Sequence, residues 1–267
     1  MPGICVSKFG EVDQEAVDEL LSVINGSYES LGSPKRDPVS IWIYEKSSGE
    51  TSFFATHSIW KGKPRITVYS DQISQYPKEV FVAGIQRQVA HSVLHGSIEF
   101  YLVSLPDELR EAAIKYRFSP RYTNSLLYQT AMIAKEYEVT KLLQQKGLFR
   151  NQVAYSKHIL KVTQEDRLAW EMALRDPLLR IVYILSVVRD ASGGVPLLSV
   201  PQFGSEIRQA IETRIAYLPP DYRTIIRGMV YDKIPLLGTD TAENITLVSR
   251  TISDDILEGE LKDIEQA

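Results

Sequence analysis

A single change of hydrophobic pattern, near Lys78, most constrains the fold of this chain. Before it lie short segments rich in β-branched and aromatic residues, which predict strands at Val39–Tyr44, Ser52–Ile59 and Arg65–Tyr69. Turn-like segments separate them, so we predict one small antiparallel sheet. After Lys78, apolar residues recur at helical spacing almost to the C-terminus. The pattern therefore predicts an α+β chain that is predominantly helical, with a small sheet near its N-terminus.

Helical periodicity predicts one helix before the strands and a series of helices after them. We divide the chain into an α+β domain over residues 1–150 and a helical region over residues 151–267, which is either separate or part of the same domain. The predicted helices are Val12–Leu21, Lys78–Val103, Asp107–Lys115, Ser125–Lys146, Gln152–Ile159, Gln164–Leu174, Pro177–Val188, Gly204–Ala216, Tyr222–Tyr231 and Asp240–Leu261.

Composition narrows the class of protein. The chain has 267 residues, 44% of them hydrophobic, which is enough for a proper core. Its one cysteine, Cys5, excludes an internal disulfide framework and a cysteine-based zinc site. No signal peptide or membrane-spanning run is visible, so we expect a cytoplasmic protein with no membrane association.

Charge bears on the class of partner. A net charge of −4 argues against a dedicated nucleic-acid-binding protein. A basic and aromatic stretch within Arg110–Tyr122 is interpreted as a solvated helix end and loop. A peptide or protein partner stays open, and the sequence specifies no oligomeric state.

Two of the four histidines, His91 and His95, lie four residues apart on a predicted helix. Residues at this spacing share one face of a helix, with Cβ atoms about 6 Å apart. Two imidazoles can then converge on one tetrahedral zinc ion. The alternative is a pair of satisfied core or surface histidines with no metal. His57 and His158 each stand alone in the sequence and are interpreted as structural.

The residues around the pair carry a resemblance to a known family. Residues 89–96 read Val-Ala-His-Ser-Val-Leu-His-Gly, on a helix that follows the predicted strand Arg65–Tyr69. This arrangement resembles the H-E-x-x-H helix of zincin metallopeptidases, which comes after an edge strand of a sheet. It covers roughly residues 12–148 and implies a zincin-like fold with zinc as the cofactor. The segment is also similar to an archaeal protein family of unassigned function.

A zincin needs a third metal ligand. In the gluzincin branch this ligand is a glutamate on a later helix, within a pattern close to E-x-x-A-[DN]. The segment from Glu136 to Thr140, Glu-Tyr-Glu-Val-Thr, resembles that pattern, with Thr140 in place of the Asp or Asn. The resemblance therefore implies His91, His95 and Glu136 as the metal ligands. The alternative for Glu136 is an exposed helix residue that pairs with Lys135 or Lys141.

Other glutamates were weighed as the third ligand. Glu138 is an alternative, although it would point to a different face of its helix. Glu99 continues the four-residue step from the histidines, but eight helical residues place it about 12 Å along the axis from His91. One ion is not easily reached by both His91 and Glu99.

The departure from the family pattern is Ser92, which stands where zincins carry the catalytic glutamate. That glutamate polarises the metal-bound water and transfers its proton, and a serine hydroxyl cannot accept the proton. Peptide hydrolysis should therefore lose much of the contribution of about 10²–10⁴ typical of general acid–base catalysis. Glu99 or Glu79 could act as the base only if the fold brought its carboxylate close to the metal.

Three functions remain open from the sequence. The first is a metallopeptidase-like, zinc-binding protein whose peptidase activity is in doubt. The second is a non-catalytic scaffold or interaction protein that has a zincin-derived fold and no metal. The third is metal-dependent hydrolysis of a non-peptide substrate, with a base from another part of the chain.

Overall fold

A computed structural model describes residues 2–47 and 53–262. It confirms the α+β, mostly helical class, with a small sheet near the N-terminus followed by helices. The chain forms two compact units, Met1–Leu102 with Val139–Tyr155 and Val103–Glu138 with Ser156–Ala267. The part of the chain that the structure describes contains no helix long and apolar enough to cross a membrane.

The first elements of the chain are β1 Ile4–Phe9, α1 Gln14–Leu31, β2 Val39–Tyr44, β3 Ala55–Trp60 and β4 Lys63–Tyr69. The strands form one four-stranded sheet of order β1-β2-β4-β3 in the first unit. β1, β2 and β4 run parallel, and only β3 is antiparallel to its neighbour β4. The prediction of an antiparallel sheet was therefore wrong, because helix α1 connects β1 to β2 as the crossover that parallel strands require.

Two further details of the sheet differ from the sequence analysis. β1 was not predicted, because it is an edge strand with almost every side chain exposed and so lacks an apolar alternation. β4, the strand that precedes the histidine helix, lies inside the sheet, and the edge strands are β1 and β3. The predicted strand start at Ser52 lies outside the described residues.

Helices α1 and α3 (Lys78–His95) pack on the same face of the sheet. The short helix α2, Ser70–Ile73, leads into α3. Their shared core contains fully buried aliphatic side chains, among them Leu20 and Ile24 on α1 and Ile85 on α3. Helix α1 begins at the N-cap Asp13, whose carboxylate accepts a hydrogen bond from Ala16 N. This core fixes α3 beside the sheet.

Helix α3 is the central element of the first unit. Every residue from Ala83 to Ser92 is buried, so the predicted amphipathic helix has no exposed side over this stretch. The helix ends at His95, and the prediction that it continues to Val103 was wrong. A Cβ at Gly96 would overlap the Ser92 carbonyl oxygen and lie 3.1 Å from Pro64 Cγ. Glycine at 96 therefore allows the chain to turn away beside β4.

The second unit is helical and includes residues 103–138, which the sequence analysis had grouped with the sheet. Buried Arg214 pairs there with Asp166 at 2.6 Å and with Asp190 at 3.3 Å. Predicted as one helix, Asp240–Leu261 contains a wider π-helical turn at Ser253–Leu257. The remaining α-helices of the described residues are α4 Asp107–Lys115, α5 Pro120–Gln145, α6 Phe149–Ile159, α7 Gln164–Ala173, α8 Pro177–Ser192, α9 Gly204–Ile215, α10 Pro220–Arg227, α11 Thr241–Ile252 and α12 Glu258–Leu261.

The packing of α3 can be tested at Gly84. A Cβ at this position would overlap the buried ring of Phe54 and approach Phe53 Cε1 to 3.2 Å. We predict that Gly84→Ala lowers the free energy of unfolding by about 1–3 kcal/mol, because a well-packed core cannot take the extra methyl without strain. Urea denaturation followed by circular dichroism measures this change.

Gly26 provides the matched control within α1. A Cβ there would meet no atom within 4 Å. Gly26→Ala should therefore raise the free energy of unfolding by about 0.5–1 kcal/mol, through the better helix propensity of alanine. If the two substitutions change stability in the same direction, the packing described for α3 is incorrect.

Candidate functional site

Helix α3 carries an unusual set of buried polar side chains. They must form hydrogen bonds inside the protein, because an unsatisfied buried polar group costs about 1–3 kcal/mol. The structure supplies partners within the first unit for most of them, and these partners fix the rotation of the helix. The buried polar residues of α3 are Gln86, Arg87, Gln88, His91, Ser92 and His95.

Arg87 anchors the helix to the segment Val139–Tyr155. Its guanidinium donates to Thr140 Oγ1 at 2.7 Å and to Gln152 Oε1 at 3.3 Å. It also lies 4.8 Å from the ring centroid of Tyr155. Gln152 in turn donates to Gln86 Oε1 at 3.1 Å. This network holds α3 in one rotational setting, one turn before the histidines.

The two histidines of the motif face each other. His91 Nδ1 and His95 Nδ1 are 3.1 Å apart, and both side chains are buried. A hydrogen bond between these atoms requires that one nitrogen carries the proton and the other presents its lone pair. The helix therefore brings one nitrogen of each imidazole ring close together, as the sequence spacing predicted.

A third histidine lies beside this pair. The ring of His57, on β3, is stacked on the ring of His91 with centroids 5.9 Å apart. His57 Nδ1 is hydrogen-bonded to the hydroxyl of Tyr101. His57, which stands alone in the sequence, therefore lies next to His91 in the fold. Its strand position pairs with core-facing Ile66, which puts it on the side of the sheet that α3 covers.

Ser92, the residue after the first histidine, faces helix α1. Its hydroxyl donates to Val89 O at 2.7 Å, and its oxygen lies 2.6 Å from the hydroxyl of Tyr28. Because the single Ser92 proton is used by Val89, Tyr28 is the donor in the second bond. Burial raises the pKa of Tyr28 to about 12, although the Ser92 bond opposes the shift, so this donor stays protonated. Ser92 is thus a packing residue, neither a base nor a nucleophile.

The other two candidate bases are exposed, whereas the histidine pair is buried. Glu79 is exposed in the first turn of α3, and twelve helical residues place it about 18 Å along the axis from His91. Glu99 lies beyond the end of α3, exposed in the short 3-10 turn Ile98–Phe100. The structure therefore supports neither residue as a substitute for the missing glutamate.

The two candidate third ligands of α5 belong to the second unit. Glu136 is half-buried there, and its role as a metal ligand stays a prediction. Glu138 is buried and accepts hydrogen bonds from Thr241 Oγ1 at 2.8 Å and Asn244 Nδ2 at 2.5 Å. Both carboxylate oxygens of Glu138 thus bind α11, which gives this residue a structural role within its own unit.

Burial also acts on Lys135, the neighbour of these glutamates. It lowers the pKa of the Lys135 ammonium to about 8, against the opposing charges of Glu138 and Glu136.

Over residues 2–47 and 53–262, the structure shows no group of three or more His, Cys, Asp or Glu side chains placed to hold a metal ion. What it brings together is the pair His91 and His95, with His57 adjacent.

Comparisons with protein-family models, with curated proteins and with solved structures gave no match to this chain.

The structural role of Glu138 generates a stability prediction. Glu138→Ala would leave the buried amide of Asn244 and the hydroxyl of Thr241 without their acceptor. We expect the free energy of unfolding to fall by about 1–3 kcal/mol. The exposed Glu243, on the same helix as Asn244, is the control, and Glu243→Ala should change stability by no more than about 0.5 kcal/mol. Equal effects of the two substitutions in thermal denaturation would contradict this role.

Proposed function

We propose that this chain is a zincin-like, metallopeptidase-like protein that binds zinc through His91 and His95 without the glutamate-dependent hydrolysis of that class. The observation that carries the proposal is the 3.1 Å separation of the two Nδ1 atoms. Two Zn–N bonds of about 2.0–2.1 Å at a tetrahedral angle separate the nitrogens by about 3.3 Å. The pair therefore needs only a small adjustment to chelate one ion.

The donor set also fits zinc. Imidazole nitrogen is a preferred zinc ligand, and two histidines one turn apart on a buried helix lose little conformational freedom on binding. Bound zinc would lower the pKa of a coordinated water. Metal binding requires the unprotonated nitrogen of each ring, so it would displace the proton that the two Nδ1 atoms share. Glu136 remains the third ligand that the family resemblance implies.

The surroundings of the pair argue against peptide hydrolysis. The residue after the first histidine, Ser92, is held against Tyr28 and Val89 and offers no base. Glu79 and Glu99 are both exposed, whereas the histidine pair is buried. A metal bound at this pair would therefore lack the glutamate that zincins use as the proton acceptor.

A second function, a metal-free scaffold, is favoured by a separate observation. His95 has no exposed surface and packs edge-on against Phe100, with ring centroids 5.4 Å apart. In this state the hydrogen bond between the histidines satisfies one nitrogen of each ring without any ion. The pair would then be one of the buried polar contacts that fix α3.

Metal analysis separates the two functions. Purified, tag-free protein equilibrated with zinc at near-neutral pH should retain about one zinc per chain, measured by elemental analysis after dialysis. The single variants His91→Ala and His95→Ala should each lose it. Casein hydrolysis by the zinc-loaded protein should stay at background, because Ser92 stands where zincins carry the glutamate that acts as the base.

The exposed His158 provides the matched control, since His158→Ala removes a histidine outside the pair. Circular dichroism of each variant checks that loss of zinc is not loss of fold. Absence of zinc from the folded wild type would contradict the metal-binding proposal and leave the scaffold. Zinc-dependent proteolysis by the wild type would contradict the assignment of Ser92 as a packing residue.

A further inference from the structure

The face of the sheet opposite α1 and α3 carries a cluster of aromatic side chains. Side chains alternate along each strand, and the register aligns the outward positions of neighbouring strands. Five of these positions are aromatic, and we call them the aromatic face: Phe9, Trp42, Tyr44, Trp60 and Tyr69.

Three of the rings lie side by side on neighbouring strands, and we call them the ring column. Phe9, Tyr44 and Tyr69 occupy one row of the register, on β1, β2 and β4. The Phe9 and Tyr44 rings are stacked, with centroids 4.5 Å apart and an angle of 13° between their planes. Tyr69 follows at 5.7 Å from Tyr44. Phe9 lies at the end of the ring column, on the edge strand, and is 38% exposed.

The rest of the aromatic face is built around a cation. The Arg65 guanidinium lies 4.4 Å from the ring centroid of Trp42 and 5.1 Å from that of Trp60. Arg65 Nε donates to Ser58 Oγ at 3.0 Å, which fixes its position. Trp60 is 46% exposed. A positive charge is thus held in place between large aromatic surfaces.

The charge on this face differs from that of the whole chain. Two of the outward strand positions, Lys63 and Arg65, are basic, and none of these positions, all within the described residues, carries a carboxylate. The chain as a whole has a net charge of −4. The outward positions are Cys5, Ser7, Phe9, Ser40, Trp42, Tyr44, Thr56, Ser58, Trp60, Lys63, Arg65, Thr67 and Tyr69.

We propose that the aromatic face binds single-stranded nucleic acid. Unpaired bases would stack on Phe9 and Trp60, and the backbone phosphates would lie near Lys63 and Arg65. Stacking on aromatic side chains beside basic groups is how proteins bind single strands without reading their sequence. A second copy of this chain fits less well, because two such faces would bring like charges together. This inference is independent of the metal-binding proposal.

Intrinsic fluorescence provides a direct measurement. Two of the three tryptophans, Trp42 and Trp60, lie on the aromatic face, and the third, Trp170, is buried in the second unit. In a Trp170→Phe background, titration with a single-stranded oligothymidylate at low salt should quench the remaining emission to saturation. Duplex DNA of the same length should quench less, because its bases are already stacked.

Substitutions on the two sides of the sheet sharpen the test. Phe9→Ala and Trp60→Ala should each weaken binding by about fivefold or more, the range measured when stacking aromatics are removed. Lys63→Gln should make the negative slope of log K against log salt shallower by about 0.7, the value for one phosphate contact on a single strand. Fluorescence anisotropy of a labelled oligonucleotide measures both effects.

Val6 and Lys8 are the matched controls, because they lie on the same edge strand and point away from the aromatic face. Val6→Ala and Lys8→Gln should leave the affinity unchanged. The inference is overturned by an affinity weaker than about 10⁻⁴ M, the weak end of non-specific binding. It is also overturned by equal losses in the control variants, or by a dimer in sedimentation that Trp60→Ala dissociates.

Discussion

The burial of α3 on all sides is the constraint on which the first unit depends. From Ala83 to Ser92 no side chain of this helix is exposed, yet five of them are polar. Such a helix is stable only where each polar group finds a partner, because burial without one costs about as much as a large core defect. Arg87 meets this condition through Thr140, Gln152 and the ring of Tyr155. The polar groups therefore determine which side of α3 faces each neighbour.

The same constraint explains the candidate site. Once Arg87 fixes the rotation of the helix, His91 is directed toward the sheet, where His57 stacks on it. Ser92, 100° further round the helix, is directed toward α1 and Tyr28. A glutamate at 92 would place a carboxylate in this filled contact. The contact of His91 with His57 and the contact of Ser92 with Tyr28 are thus two consequences of one helix orientation.

The sequence predicted the features that depend on local patterns. Helical periodicity placed most helices, and the spacing of His91 and His95 predicted that their rings meet. The parallel pairing of β1 was not predicted, because an exposed edge strand has no apolar alternation. The end of α3 depends on Gly96 packing beside Pro64, a contact between segments far apart in the chain. His57 was missed for the same reason, since its neighbour His91 lies on another element.

We propose that His91 and His95 form a pair of facing nitrogens that one zinc ion can bridge. Long-range ¹H–¹⁵N correlation spectra of the imidazole rings, recorded before and after an equimolar addition of zinc, test this claim directly. We expect one Nδ1 of the pair to be protonated and the other not. Added zinc should shift the ¹⁵N resonances of both Nδ1 atoms and remove the proton. Two protonated Nδ1 atoms, or two rings unchanged by zinc, would contradict it.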